Sequence, residues 1–208
     1  MSDTSSYSGP APVARSPITP GPTRVGDGAL SLNDESSVGK LLVHAPVDGP
    51  MAGALGTRFG RTAREAGDDT LVVGSGPGEW LVVASVQDLP KLTTWLEQQG
   101  EGDPGLVSVV DVTHGRAMMR LTGQAAADVL AKLTAVDLSD SVVPDGGAFR
   151  SSVARVATDV IRDDSGGIAT SDRPSYLLHC ERSSGQYLWD AVVDAGGEFG
   201  LTTRGATS

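Results

Sequence analysis

A shift of 96 residues brings two stretches of the chain into register: Trp80-Leu81-Val82 falls beside Tyr176-Leu177-Leu178, Leu92 beside Leu188, Leu96 beside Val192 and Gly100 beside Gly196. Each stretch is a short apolar run, a gap of six to ten residues and an amphipathic segment closed by glycine. That is the pattern of a strand followed by a helix. At an offset near 76, Gly39-Lys40-Leu41-Leu42-Val43 falls beside Gly115-Arg116-Ala117-Met118-Met119, and a segment rich in small residues follows each. Each half therefore reads strand, helix, two strands, helix. Repetition of that order predicts an α+β fold of two split-βαβ, ferredoxin-like halves with mainly antiparallel sheets, each covered on one face by helices.

Residues 1–29 stand outside the repeat. They carry five of the twelve prolines (Pro10, Pro12, Pro17, Pro20, Pro22) among Ser, Thr and Gly. With few large apolar side chains to offset the entropy of ordering, this arm is expected to be disordered. The first α+β half spans 30–102 and the second 103–200, divided at Glu101-Gly102-Asp103-Pro104-Gly105; residues 201–208 read as a flexible tail. Within the first half, Val38–His44, Thr70–Val73 and Glu79–Ala84 read as strands, Met51–Phe59 and Leu89–Gln99 as helices. Within the second, Val107–Val112, Arg116–Leu121, Val153–Ile161 and Ser175–Cys180 read as strands, Gln124–Leu133 and Gln186–Ala195 as helices.

Charge and chemistry narrow the function classes. The chain of 208 residues has 16 Lys+Arg against 26 Asp+Glu, a formal net charge of −10, and its basic residues are scattered. Nucleic acid and anionic membrane are poor partners for such a surface. No apolar run approaches the roughly 18–20 residues needed to span a bilayer, and no basic-then-apolar leader opens the chain. The single cysteine, Cys180, forbids an intrachain disulfide, which suits a reducing cytoplasmic setting and a small core residue. His44, His114 and His179 are the only histidines and none has a metal-ligand spacing. His179 and Cys180 are strand neighbours, so they point to opposite faces. Gly74-Ser75-Gly76-Pro77-Gly78 joins two strands and lacks the Lys-Ser/Thr of a phosphate loop, so a hairpin turn is expected. Asp163-Asp164 with Asp159 is only a weak match to a Ca²⁺ loop and reads as a solvated turn.

The densest polar cluster of the second half is Asp111-Val112-Thr113-His114-Gly115-Arg116. Asp111, Thr113, His114 and Arg116 could form a ligand or interface corner between two strands, with Arg116 able to grip a carboxylate bidentately. The alternative is a strand-connecting turn in which Asp111 and Thr113 bond local backbone. No acid–base pair, activated nucleophile or dinucleotide fingerprint stands out, which points to a binding or assembly module.

Val110 to Gly123 with its Ala-rich helix, Asp137-Leu138, Phe149-Arg150-Ser151, and Tyr187 to Gly200 together resemble the gamma subunit family of heterotetrameric sarcosine oxidase. Gly78-Glu79-Trp80-Leu81 fits the first half of that family, and the resemblance covers about residues 36–200. A wider similarity is to the folate-binding aminomethyltransferase fold, with Asp111, Thr113, Gly115, Gly123 and Ala126 in matching places. The resemblance implies an oxidoreductase complex with alpha, beta and delta subunits. That complex converts sarcosine to glycine with release of hydrogen peroxide. The one-carbon unit passes to tetrahydrofolate as 5,10-methylenetetrahydrofolate, or leaves as formaldehyde. FAD, FMN and NAD are expected in the other subunits and none in this chain, whose role would be structural. Trp95, Trp189 and Phe199 are the candidate interface anchors. The competing expectation is a stand-alone folate-binding one-carbon transfer module, with Asp111, His114 and Arg116 near the pterin or glutamate tail.

Overall fold

Apolar side chains occupy both faces of the central strands, so each sheet has to be covered twice. The computed structural model describes residues 15–19, 21, 29–64, 69–166 and 173–204. In chain order the elements are β1 (Leu30–Asp34), β2 (Gly39–His44), α1 (Pro50–Leu55), β3 (Thr62–Arg64), β4 (Leu71–Gly76), β5 (Glu79–Ala84) and α2 (Leu89–Gly100). Then follow β6 (Ser108–Asp111), β7 (Arg116–Gly123), α3 (Ala126–Ala131), β8 (Ala148–Val153), β9 (Val156–Arg162), β10 (Ser175–Glu181), α4 (Gly185–Gly196) and β11 (Thr202–Arg204). One sheet has the order β3-β4-β5-β2-β6 and the other β11-β1-β7-β10-β9-β8. Every pairing is antiparallel except that of β1 with β11.

The repeat is present strand for strand. Read from its other edge, the first sheet runs β6-β2-β5-β4-β3 and matches β1-β7-β10-β9-β8 of the second. The short 3-10 turns at Val86–Asp88 and Arg182–Ser184 lead into α2 and α4 at the 96-residue spacing. Two strands, however, cross the division at 101–105. β1 lies in the second sheet beside β7, and β6 lies in the first beside β2.

Pleating sorts the side chains into layers. Leu71, Val73 and Leu81 of the first sheet meet Met118, Ile161 and Leu177 of the second, so the two sheets stack face to face. On the outer face of the first sheet, Leu41, Val43, Trp80 and Val82 pack under Met51 and Leu55 of α1 and Leu89 and Leu96 of α2. On the outer face of the second, Ala117, Met119, Leu121, Tyr176 and Leu178 pack under α3 and α4, including Leu188, Trp189 and Val192. The result is four layers, helices outside and sheets within. Pro50 and Pro90 open α1 and α2 at positions where their missing N–H is not needed.

Several boundaries differ from expectation. The first helix stops at Leu55 rather than Phe59 because Gly56 turns left-handed and its N–H bonds the Ala52 carbonyl at 3.1 Å. The stretch Val153–Ile161 is not one strand: Ala154 and Arg155 take φ of 48° and 68° and fold β8 back onto β9. The hairpin expected at Gly74–Gly78 is present, tightened to Pro77-Gly78. Residues 201–204 are not a loose tail, since Leu201 and Thr203 are buried and β11 pairs with β1. Of the proline-rich arm, residues 15–19 lie against the second half. Ile18 joins its core, Thr19 N–H donates to Gln186 Oε1 and Arg182 donates to the Arg15 carbonyl. Apart from Gly21 and Ala29, the rest of the arm lies outside the described residues.

Candidate functional site

The facing sides of the two sheets carry charge as well as hydrocarbon. Arg120 on β7 and Asp163 just after β9 are 5% and 4% exposed. Arg120 Nη2 donates to Asp163 Oδ2 at 3.0 Å, its Nη1 to the Ser175 hydroxyl at 3.0 Å, and its Nε to Glu35 Oε1 at 2.8 Å. Arg64 on β3 reaches the same carboxylate from the other sheet, Nε to Oδ1 at 3.1 Å and Nη2 to Oδ2 at 2.7 Å. Burial alone would raise the Asp163 pKa, but the Arg64 and Arg120 guanidiniums outweigh it and hold it below the usual carboxylate range. Asp163 is thus an inter-sheet clamp rather than part of a solvated turn. Two like charges converge on this one buried anion, and Glu35 on Arg120 supplies the second negative charge.

A second chain of polar contacts spans the sheets nearby. His179 on β10 places Nδ1 2.9 Å from Asp159 Oδ2 on β9. Asp159 accepts from Arg150 Nε at 2.6 Å, Arg150 Nη2 donates to Glu79 Oε1 at 2.9 Å, and Glu79 Oε2 lies 3.2 Å from His44 Nε2. Burial opposes ionisation of Asp159, yet its bonds to His179 and Arg150 keep its pKa low. Burial also lowers the His179 pKa against the pull of Asp159, so the imidazole is neutral and donates from Nδ1. Its Nε2 is left buried without a hydrogen-bond partner. Lys40 on β2 is fully buried, and its ammonium donates to the carbonyls of Ser36 at 2.9 Å and Val38 at 2.8 Å. Burial lowers its pKa to about 8, with Asp111 and Asp34 pulling the other way. Cys180 lies in the core under α4, and burial pushes its thiol up to about 11, which removes it from thiolate chemistry at neutral pH.

The corner singled out from sequence connects β6 to β7. Asp111 Oδ1 accepts from Thr113 N–H at 2.8 Å, and the buried Thr113 hydroxyl accepts from Lys40 N–H at 3.0 Å. His114 is exposed and offers only its carbonyl, to Arg182. Arg116 is engaged with Glu181 at 2.6 Å. The four residues are neighbours, but they make a turn that locks β7 to β2 rather than converging on one space. Among the candidate anchors, Trp189 is 2% exposed inside the second core and is not a surface residue. Phe199 is partly buried with Lys132 Nζ 5.7 Å from its ring centre. Trp95 is 40% exposed, at the lip of a cavity of about 360 Å³ between α1, α2 and the first sheet.

His179 lines neither that cavity nor the groove of about 590 Å³ at the junction of the halves. The buried His179–Asp159 pair links β10 to β9. Among the described residues, no group of three or more His, Cys, Asp or Glu could hold a metal ion, and no helix is long and apolar enough to cross a membrane. Sequence reasoning missed the Arg120–Asp163–Arg64 clamp and the His179–Asp159 pair, because their members come from strands distant in the chain. The available signal was charge set within apolar strands, as in Met118-Met119-Arg120-Leu121 and Leu177-Leu178-His179-Cys180.

The fold, two stacked and mainly antiparallel sheets covered outside by helices, is an aminomethyltransferase-like one. The chain belongs to the GCVT N-terminal domain family, which it matches over residues 60–208. An aminomethyltransferase of Geobacillus thermodenitrificans (strain NG80-2) is 33% identical over 138 residues, covering 66% of this chain and 35% of that protein. The aminomethyltransferase of Moorella thermoacetica (strain ATCC 39073 / JCM 9320) is 25% identical over 177 residues, covering 85% of this chain and 43% of that protein. The chain therefore spans between about a third and under half of the length of these curated relatives. Among solved structures, a chain of the heterotetrameric sarcosine oxidase from Corynebacterium sp. U-96 in complex with pyrrole 2-carboxylate superposes with a TM-score of 0.70 at 23% identity. That match covers 89% of this chain and 90% of that one. The glycine cleavage system aminomethyltransferase T from Bartonella henselae gives a TM-score of 0.61 at 14% identity, covering 84% of this chain and 47% of that one. At these identities the two structural likenesses concern the fold.

Proposed function

We propose that this chain is the gamma subunit of a heterotetrameric sarcosine oxidase complex, with alpha, beta and delta subunits as partners in the cytoplasm. The complex oxidatively demethylates sarcosine to glycine, with hydrogen peroxide as the reduced product of O₂. Its one-carbon unit goes to 5,10-methylenetetrahydrofolate or to formaldehyde. FAD, FMN and NAD belong to the larger subunits, and tetrahydrofolate is the co-substrate of the assembly. This chain holds the assembly together and does not perform the chemistry.

The observation that carries this reading is the mutual extent of one structural match: 89% of this chain against 90% of a sarcosine oxidase chain. Against the aminomethyltransferase T structure the chain covers only 47%. The structural role is supported by the use of the buried charged groups: Asp163 ties Arg64 of one sheet to Arg120 of the other, and Asp159 ties Arg150 to His179. A second reading, a folate-binding one-carbon module acting alone, draws on the family match over 60–208. The engagement of Arg116 by Glu181 counts against the site it would need.

The test is a native pull-down of the tagged chain from its own host, followed by an absorbance spectrum. Co-purified larger subunits, a flavin spectrum and sarcosine-dependent hydrogen peroxide release are expected. A colourless chain recovered alone overturns the reading. Titration of that isolated chain with tetrahydrofolate then decides for or against the second one.

A further inference from the structure

The groove at the junction of the halves is built from the α1–β3 connection, with Arg58, Phe59 and Arg61, facing Val142, Phe149 and Arg150 of the second half. Phe59 is 61% exposed and Val142 55%. The backbone around Phe59 is fastened on two sides. Gly60 N–H donates to the Gly74 carbonyl at 2.9 Å, Thr62 N–H to the Gly146 carbonyl at 2.9 Å, and Ala148 N–H to the Gly60 carbonyl at 3.1 Å. The aromatic ring is therefore presented on a fixed support, which lowers the ordering cost of binding to it.

Charge sets the chemistry of the occupant. Arg58 and Arg61 are exposed, and among the described residues neither guanidinium has a hydrogen-bond or ion-pair partner. Arg150 beside them is already held by Asp159 and Glu79. In a chain of net charge −10, two unpaired guanidiniums flanking an exposed aromatic are a local reversal of sign. Arginine and aromatic side chains are the residues enriched at the energetic centres of protein interfaces. The groove is shallow and its arginines are solvated, so a small anion would stay in water there. A second copy docked two-fold would bring the same cations face to face.

We propose that this groove is a docking face for a larger subunit, receiving a segment with carboxylates opposite Arg58 and Arg61 and an apolar side chain against Phe59 and Val142. The proposal rests on the reading of the chain as a subunit. Its test compares the tagged full chain, purified from its own host, with Phe59→Ala, with Arg58→Ala/Arg61→Ala, and with Lys91→Glu, which makes the same charge change on exposed α2. Wild-type melting temperatures show that each variant is folded. The groove variants are expected to lose at least tenfold of the retained larger subunit, and Lys91→Glu none. Arg58→Lys/Arg61→Lys is expected to retain it and, with a carbodiimide, to cross-link at the substituted positions to Asp or Glu of that subunit.

Wild-type retention by both groove variants, or cross-links absent from the retained complex, overturns the docking face even if the complex oxidises sarcosine. Loss at the groove from a complex that does not oxidise sarcosine leaves the docking face standing and removes the sarcosine oxidase reading. A wild-type chain recovered alone overturns both.

Discussion

Asp163→Asn tests the inter-sheet clamp most directly. The carboxylate receives three hydrogen bonds from two guanidiniums, at 2.7, 3.0 and 3.1 Å, and is 4% exposed. Asparagine keeps the size and one acceptor but removes the charge, and its amide N–H₂ can only point at other donors. Removing one partner of a buried pair costs about 3–5 kcal/mol. Arg64 is partly exposed and Arg120 keeps Glu35, so the low end, about 3 kcal/mol, is expected. For a chain of this size that is a fall in Tm of about 6–12 °C. The pH dependence supplies a second check. The folded pKa of Asp163 lies below its unfolded value of about 4, so its contribution is complete above that pH and lost as pH falls through the folded value. Urea unfolding of wild type and variant at pH 7 and in acid reads both quantities. A difference under about 1 kcal/mol at pH 7, where surface pairs fall, would refute the claim that one anion holds both sheets.

Burial holds His179 neutral, so the unfolded chain takes up its proton first as pH falls below about 6.5, and stability should decline from there. Urea midpoints between pH 7 and 5.5 should fall more steeply in the wild type than in His179→Gln. Trp189→Ala empties the contact between α4 and the second sheet and should cost about 3–5 kcal/mol by thermal or urea unfolding. Gly74→Ala would place a Cβ 2.2 Å from the Arg58 carbonyl oxygen, and the shift needed should cost about 1–3 kcal/mol and disorder the Phe59 loop by amide exchange.

How much of this was legible in the sequence depends on the range of the interaction. Leu89, Leu92 and Leu96 of α2 and Leu188 and Val192 of α4 gave away both helices, because a helix buries its stripe within its own residues. The β4–β5 hairpin was legible for the same reason, through Pro77-Gly78. The β8 strand was not, since Phe149-Arg150-Ser151-Ser152 carries a single large apolar side chain and its turn uses Ala154 and Arg155 in place of glycine. The corner at Asp111–Arg116 was found as a position and not as an arrangement: Asp111 and Thr113 satisfy local backbone, and Arg116 turns to Glu181. Nothing local to Asp163 shows that two arginines, 43 and 99 residues away, will meet on it.

The positions of β1 and β6 give the chain the topology of a dimer that has traded arms with itself. Each half surrenders its first strand to the sheet of the other, β1 to β7 and β6 to β2. Such a molecule is interlocked, and neither half is a unit of folding. A cut between Gly102 and Leu106 would leave one fragment holding β1 without the sheet it belongs to, and another holding β6 in the same condition. Made separately, each would show the bare flank of β2 or β7 and be prone to aggregate through it. Made together, the two pieces should reassemble into one particle that survives the missing covalent link.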